Sequence, residues 1–223
     1  MRKAIIYKEW IKVRLFTPLA VSVLAGFTAY ALLRIGRMYA FNGAGSVWLA
    51  VLDRNAVLID NLKYLPALLG LLLGLVQFVP EMQQNRLKLT LHLPFPQSRM
   101  LLWMLGCGLT LLAVLFIAQA AAIWICLRWL LAPELVARIL MTALPWYAAG
   151  VLLYLFTAWT AVEPTWRRRL FNALVAAGVM RLLFMSDYPR TYDTLLPWIA
   201  LLAVCALFFP IYSADRFRRG CQD

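Results

Sequence analysis

Residues 100–127 read MLLWMLGCGLTLLAVLFIAQAAAIWICL, with no acid or base between Arg99 and Arg128. A helix rises about 1.5 Å per residue and needs ~20 apolar residues to cross a hydrocarbon core of ~30 Å. Backbone groups in lipid have no water to bond, so such a stretch must close its hydrogen bonds internally as a helix. Five more runs share this character: Phe16–Ile35, Lys63–Pro80, Leu135–Val162, Leu170–Met185 and Thr194–Ala214, the shortest being Leu170–Met185. The predicted fold is all-α, a polytopic membrane protein with six transmembrane helices. One membrane domain uses residues 1–223, with the spans filling 16–214.

The charges give the threading a direction. Of the 22 Lys and Arg residues, those before the first span, between spans two and three, between four and five, and after six number fourteen, against eight on the other side. These segments are short enough for the positive-inside rule to apply, so both termini are expected in the cytoplasm. Overall composition agrees: 64% of residues are hydrophobic and only 14% are charged, where a soluble domain carries about 25%. The net charge of +12 reads as attraction to anionic lipid at span ends, not as a nucleic-acid surface. Cys107, Cys126, Cys205 and Cys221 have neither metal-site nor redox-motif spacing.

Residues 1–15 precede the first span. Tyr7, Trp10 and Ile11 share a helical face with Ile6, while Lys8, Glu9 and Lys12 fall elsewhere. This pattern predicts an interfacial amphipathic helix with Trp10 as anchor; a plain basic flank is the simpler alternative. The first span is read as a retained anchor, although Ala29-Tyr30-Ala31 resembles a signal-peptide cleavage site. Residues 36–62 are expected to form an outer loop turning at Gly43-Ala44-Gly45-Ser46. Span two is expected to end at Pro80, and Pro145 predicts a kink in span four. Gly106 and Gly108 would let span three approach a neighbour closely.

The 81–99 connector is the most informative loop. Glu81 after Pro80 suits a helix start. Arg86 to Leu93 alternates as a strand would, yet Leu87 with Leu91 and Leu89 with Leu93 also stack at i,i+4. An isolated strand would leave its edges unpaired, so a short cytoplasmic helix ended by Pro94 and Pro96 is preferred. Residues 215–223 form a basic tail.

Several chemistries lack their residues. The one histidine, His92, lies in the connector, no acid lies clearly mid-span, and there is no Walker loop. An ion-coupled carrier would need an in-span acidic relay. Gln77, Gln119 and Asn172 are the few mid-span amides and read as interhelical bonds. Arg167-Arg168-Arg169 read as a stop-transfer signal, and Arg181 as a cation snorkelling to the outer interface.

With these features in place, the chain resembles the permease subunits of ABC transporters of the type-2 export class. In that family an acidic residue closes span two, a short coupling helix follows, and a Leu-Pro-Ser-Arg-like run opens span three. Here Glu81, Leu91, Leu93, Pro94, Ser98 and Arg99 keep that order. Arg86-Leu87-Lys88 stands where the family has Gly-Thr-Leu, and Pro96 and Gln97 lengthen the run. The resemblance implies a subunit of a bacterial cytoplasmic membrane that pairs with a second copy or a paralogue. It also implies docking of a separate ABC ATP-binding subunit, which holds ATP and Mg; the chain itself would carry no cofactor. Docking would fall to Glu81, Gln84, Arg86, Leu87, Lys88, Leu89 and Leu91, the charged residues giving ionic contacts and the leucines an apolar fit. Two other classes compete: a non-transporting membrane scaffold or assembly factor, and an intramembrane lipid-modifying enzyme built on Glu163 or Asp187.

Overall fold

A computed structural model describes residues 2–53, 55–83 and 97–218. Every regular element among them is helical. In order these are α1 (Arg2–Val13), α2 (Phe16–Leu52), α3 (Leu65–Gln83), α4 (Gln97–Arg128), α5 (Pro133–Val162), α6 (Trp166–Leu183), α7 (Leu196–Ala206) and α8 (Phe209–Arg218). Short 3-10 turns at Asp60–Leu62 and Asp193–Leu195 lead into α3 and α7. Five stretches are long and apolar enough to cross a membrane: Phe16–Phe41, Asp60–Gln83, Ser98–Arg128, Pro133–Val162 and Asp193–Phe217. The chain is an integral membrane protein, all-helical among the described residues.

The predicted run Leu170–Met185 falls in α6, which does not join those five. Arg167, Arg168, Arg169 and Arg181 lie within its 18 residues and offset its apolar centre. Even so, α6 runs the height of the bundle. It starts beside Glu163, whose backbone carbonyl accepts a bond from Arg169, and past its other end Phe184 and Asp187 meet Lys63, at the opening of α3.

The hub is α5, which packs against α3, α4, α6, α7 and α8. Its closest partner is α3, and glycine makes the approach possible. A Cβ at Gly70 would lie 2.0 Å from the carbonyl oxygen of Gly150, and one at Gly150 would lie 2.6 Å from the carbonyl oxygen of Pro66. One turn on, a Cβ at Gly74 would meet the Thr157 side chain at 2.7 Å. Lipid tails are as apolar as leucine, so burial drives helices together only weakly in a bilayer; close van der Waals packing and interhelical hydrogen bonds take over. Gly70-Leu-Leu-Leu-Gly74 is the small-xxx-small pattern that such packing uses.

Four local expectations change. The 36–62 segment is not a loop throughout, because α2 continues to Leu52. The break is confined to Gly43, whose φ of 75° favours a residue without a side chain. Beyond it, Val47, Val51, Leu58, Ile59 and Leu62 are buried, so this stretch folds back onto the bundle and does not lie free along the surface. Next, α3 does not stop at Pro80 but carries it and continues to Gln83. Third, the last predicted span keeps its place within Asp193–Phe217 but is interrupted, as α7 and α8. Pro210 lacks the N–H that would bond Ala206, and the chain turns at 207–208 between α7 and α8. Finally, Gly106 faces open space, so of the two glycines expected to permit contact only Gly108 does so.

Replacing Gly70 or Gly150 with Ala is expected to cost about 1–3 kcal/mol or more through overpacking. Each variant should show a lower thermal midpoint in detergent, while Gly106→Ala should match the parent. Equal midpoints for all three would show that the α3–α5 approach is not close.

Candidate functional site

Two of the four buried charged side chains among the described residues, Glu9 and Glu81, lie where α1, α3, α4 and α5 meet. On α1, Lys8 and Lys12 are four residues apart and Glu9 is three before Lys12, so all three project from one side of the helix. On α3, Gln77 and Glu81 are likewise four apart. Because Gly70 and Gly74 seat one face of α3 on α5, the same face carries Gln77 and Glu81 into this corner.

The geometry is closely connected. Lys12 Nζ lies 2.6 Å from Glu9 Oε1 and 2.5 Å from Glu81 Oε1, and Lys8 Nζ lies 2.8 Å from the same Glu81 oxygen. Glu9 and Glu81 are each only 1% exposed. Gln77 Nε2 donates to Glu9 Oε2 at 2.8 Å and to the Met104 carbonyl at 2.7 Å. The Tyr154 hydroxyl, on α5, donates to Gln77 Oε1 at 2.8 Å and lies 3.3 Å from the Leu105 carbonyl. This arrangement depends on Gly108, where a Cβ would stand 2.1 Å from the Tyr154 hydroxyl. Two lysines balance two glutamates, so the buried group is electrically neutral. That matching is what makes burial tolerable, since an unpaired ion in a low-dielectric setting costs several kcal/mol even after relaxation, roughly, and usually more than one contact returns.

A second tie lies at the same end of the bundle. Glu163, just past α5, is buried and accepts from Thr165 Oγ1 at 3.1 Å; Ser213 and Arg216 of α8 also bind its carboxylate. The carboxylate thereby fastens α8 to the α5–α6 corner. At the opposite end Asp187 is exposed and pairs with Lys63, while Arg181 points outward and Arg34 pairs with Asp60.

The residues read from the sequence fall into three groups. Glu81 is described, and its side chain is turned inward to α1. Gln84, Arg86, Leu87, Lys88, Leu89 and Leu91 lie outside the described residues, as do Pro94, Pro96 and His92. Tyr7, Trp10 and Ile11 are exposed together with Ile6, so α1 presents an apolar face outward and a charged face inward. Among the amides, Gln77 joins four helices and Gln119 joins α4 to Thr28 of α2 at 3.0 Å. Asn172 is buried, and its Nδ2 has no hydrogen-bond partner among the described residues. Sequence reading missed the pairing of Lys8 and Lys12 with Glu81, and the parts played by Tyr154 and Glu9. The available signal was the matched spacing Lys8-x-x-x-Lys12 and Gln77-x-x-x-Glu81.

Breaking one buried ion pair costs about 3–5 kcal/mol, whereas removing both partners together is close to neutral. Glu81→Ala is therefore expected to speed amide exchange across residues 3–13 by about two to three orders of magnitude. Glu81→Met combined with Lys8→Met, which leaves the Lys12–Glu9 pair matched, should recover most of that protection, read by hydrogen–deuterium exchange with mass spectrometry. Unchanged exchange in Glu81→Ala would mean that α1 is held by apolar contacts alone.

No family model, curated protein or solved structure matches the chain.

Proposed function

We propose that the chain is the membrane-spanning permease subunit of an ATP-driven exporter of the type-2 ABC class. It pairs with a second copy or a paralogue, and it docks separate ATP-binding subunits through residues 81–99. ATP and Mg belong to those subunits. In this reading the chain crosses a bacterial cytoplasmic membrane six times, α6 being the short crossing. At 18 residues α6 is about 27 Å long, near the ~30 Å of a hydrocarbon core. Its arginines sit toward its ends, where long cationic side chains reach the interface. Both termini face the cytoplasm, and the outward face of α1, with Tyr7, Trp10 and Ile11, rests among the acyl chains at the interface.

One observation carries the reading. The two helices joined by the 84–96 connector, α3 and α4, share a single buried junction with α1 and α5 (Glu81 and Gln77 on one side, the Met104 and Leu105 carbonyls on the other). An ATPase can do work on a permease only through differential binding to two conformations. Force applied to the connector has to reach rigid helices before it dissipates in a loop. A connector rooted in a four-helix junction passes its displacement to α1, α3, α4 and α5 together. The charged and leucine side chains between Gln84 and Leu91 then form the docking surface, with Arg86 and Lys88 for ionic contacts and Leu87, Leu89 and Leu91 for the apolar fit.

Arg86→Glu or Leu87→Glu should lower recovery of the ATP-binding subunit in detergent pull-downs and impair export, with membrane insertion of the permease unchanged. Wild-type recovery of the ATPase by both variants would refute the docking assignment.

A further inference from the structure

A groove of about 620 Å³ opens between α3, α5 and α6 on the outside of the bundle. It arises because α6 leans on α5 and offers the small side chains of Ala173, Ala176 and Ala177 in its middle, opposite Leu71, Leu75 and Val79 of α3. Its volume falls within the range of about 300–1,000 Å³ typical of small-molecule sites. The groove is charged at one end only, and the hydroxyls of Thr157 and Thr160 along it are bonded to carbonyls of their own helix. That end is formed by Gln83, Trp166 and Arg169; the exposed Arg167 and Arg168 precede Arg169 on the same first turn of α6, outside the lining. No carboxylate lines the groove, since Glu163 is turned toward α8. The far end, at Leu71 and Met180, is apolar; the neighbouring Arg181 is exposed and not part of the lining.

We propose that this groove holds one acyl chain of an anionic phospholipid whose headgroup sits on Arg167, Arg168 and Arg169. Length and charge both point to that occupant. From Leu71 to Gln83 the helix rises about 18 Å, close to the ~15 Å of one leaflet's hydrocarbon. The groove thus runs from near the bilayer midplane to the headgroup level, and its cationic end lies where a phosphate would be. Arg169 donates its Nε to the Glu163 carbonyl at 2.5 Å, which fixes the guanidinium at the mouth. Arginine suits the task because its planar fork of donors binds phosphate oxygens in pairs. The inference stands apart from the transport reading, since it needs neither an ATPase nor a cargo.

The test uses the full chain reconstituted in vesicles of phosphatidylcholine doped with phosphatidylglycerol carrying a diazirine on one acyl chain. Matched vesicles carry the diazirine on phosphatidylcholine instead. After illumination, labelled peptides are mapped by mass spectrometry. Labelling should concentrate on Leu75, Val79 and Ala177, and phosphatidylglycerol should exceed phosphatidylcholine by about fivefold for each contributing arginine. Arg167→Gln with Arg168→Gln should erase most of that preference while leaving the chain folded, as both side chains are exposed. Ala177→Trp, which fills the groove from an exposed position, should reduce labelling by either lipid. Equal labelling by the two lipids, or label spread evenly over the outward faces of α2 and α7, would each overturn the proposal.

Discussion

The backbone-to-backbone contact of α3 with α5 governs the rest of the molecule. At Gly70 and Gly150 the two helices come nearer than any side chain would allow, and everything further along α3 inherits that placement. Pro66, Gly70, Gly74, Gln77 and Glu81 follow one another at intervals of four, four, three and four residues, so they form one stripe on one face. The stripe begins with small residues that seat α3 on the hub and ends with polar ones that meet α1, α4 and α5. Steric fit near the middle of the helix therefore sets which groups can bond at its end. In a medium where apolar burial contributes little to helix association, that division of labour is physically sensible: contact surface holds the helices together, and the polar end fixes their relative rotation.

The polar end also shows how a mostly apolar chain can keep two carboxylates in its interior, each matched by a lysine nearer the surface. Glu9 and Glu81 are each almost fully enclosed, and each has a lysine within 2.6 Å. Gln77 is the linking element. Its amide oxygen accepts from Tyr154 while its nitrogen serves Glu9 and a helix carbonyl, so both ends of one side chain are engaged. The Glu163 tie follows the same rule at the base of α8, with a serine and an arginine from α8 supplying the matching groups. At the opposite end the pairs are more exposed, as with Arg34 and Asp60, and such pairs contribute little. Among the described residues the buried carboxylates, Glu9, Glu81 and Glu163, all lie at the α1 end.

Much of the fold was legible in the sequence because span length and hydropathy report a property of each segment by itself. The five apolar stretches are placed correctly in outline, and the helical character of residues 2–13 follows from local periodicity. Readings that depended on neighbours fared less well. Gly43 was recognised as a turn, but burial of Val47 and Val51 against the bundle prolongs the helix beyond it. Pro80 was taken as a terminator, yet proline removes a single hydrogen bond and α3 carries it near its end. Pro210 was passed over and marks the break between α7 and α8. The inward turn of Glu81 was not legible because its partners lie about seventy residues earlier, and only the packing of α3 on α5 brings them together. Gly70-Leu-Leu-Leu-Gly74 was in plain view as a contact motif, and its meaning became clear only with Gly150 opposite.

The separation of Glu9 and Gln77 by 68 positions has a consequence for biogenesis. Ribosomes add about 5–20 residues each second, so α1 exists for several seconds, roughly, before the residues that will neutralise it have been made. During that interval Lys12 can pair only with Glu9 of its own helix, and Lys8 waits for Glu81. α1 is thus made well before the helices that fix it, and its polar side stays open until α3 has found α5.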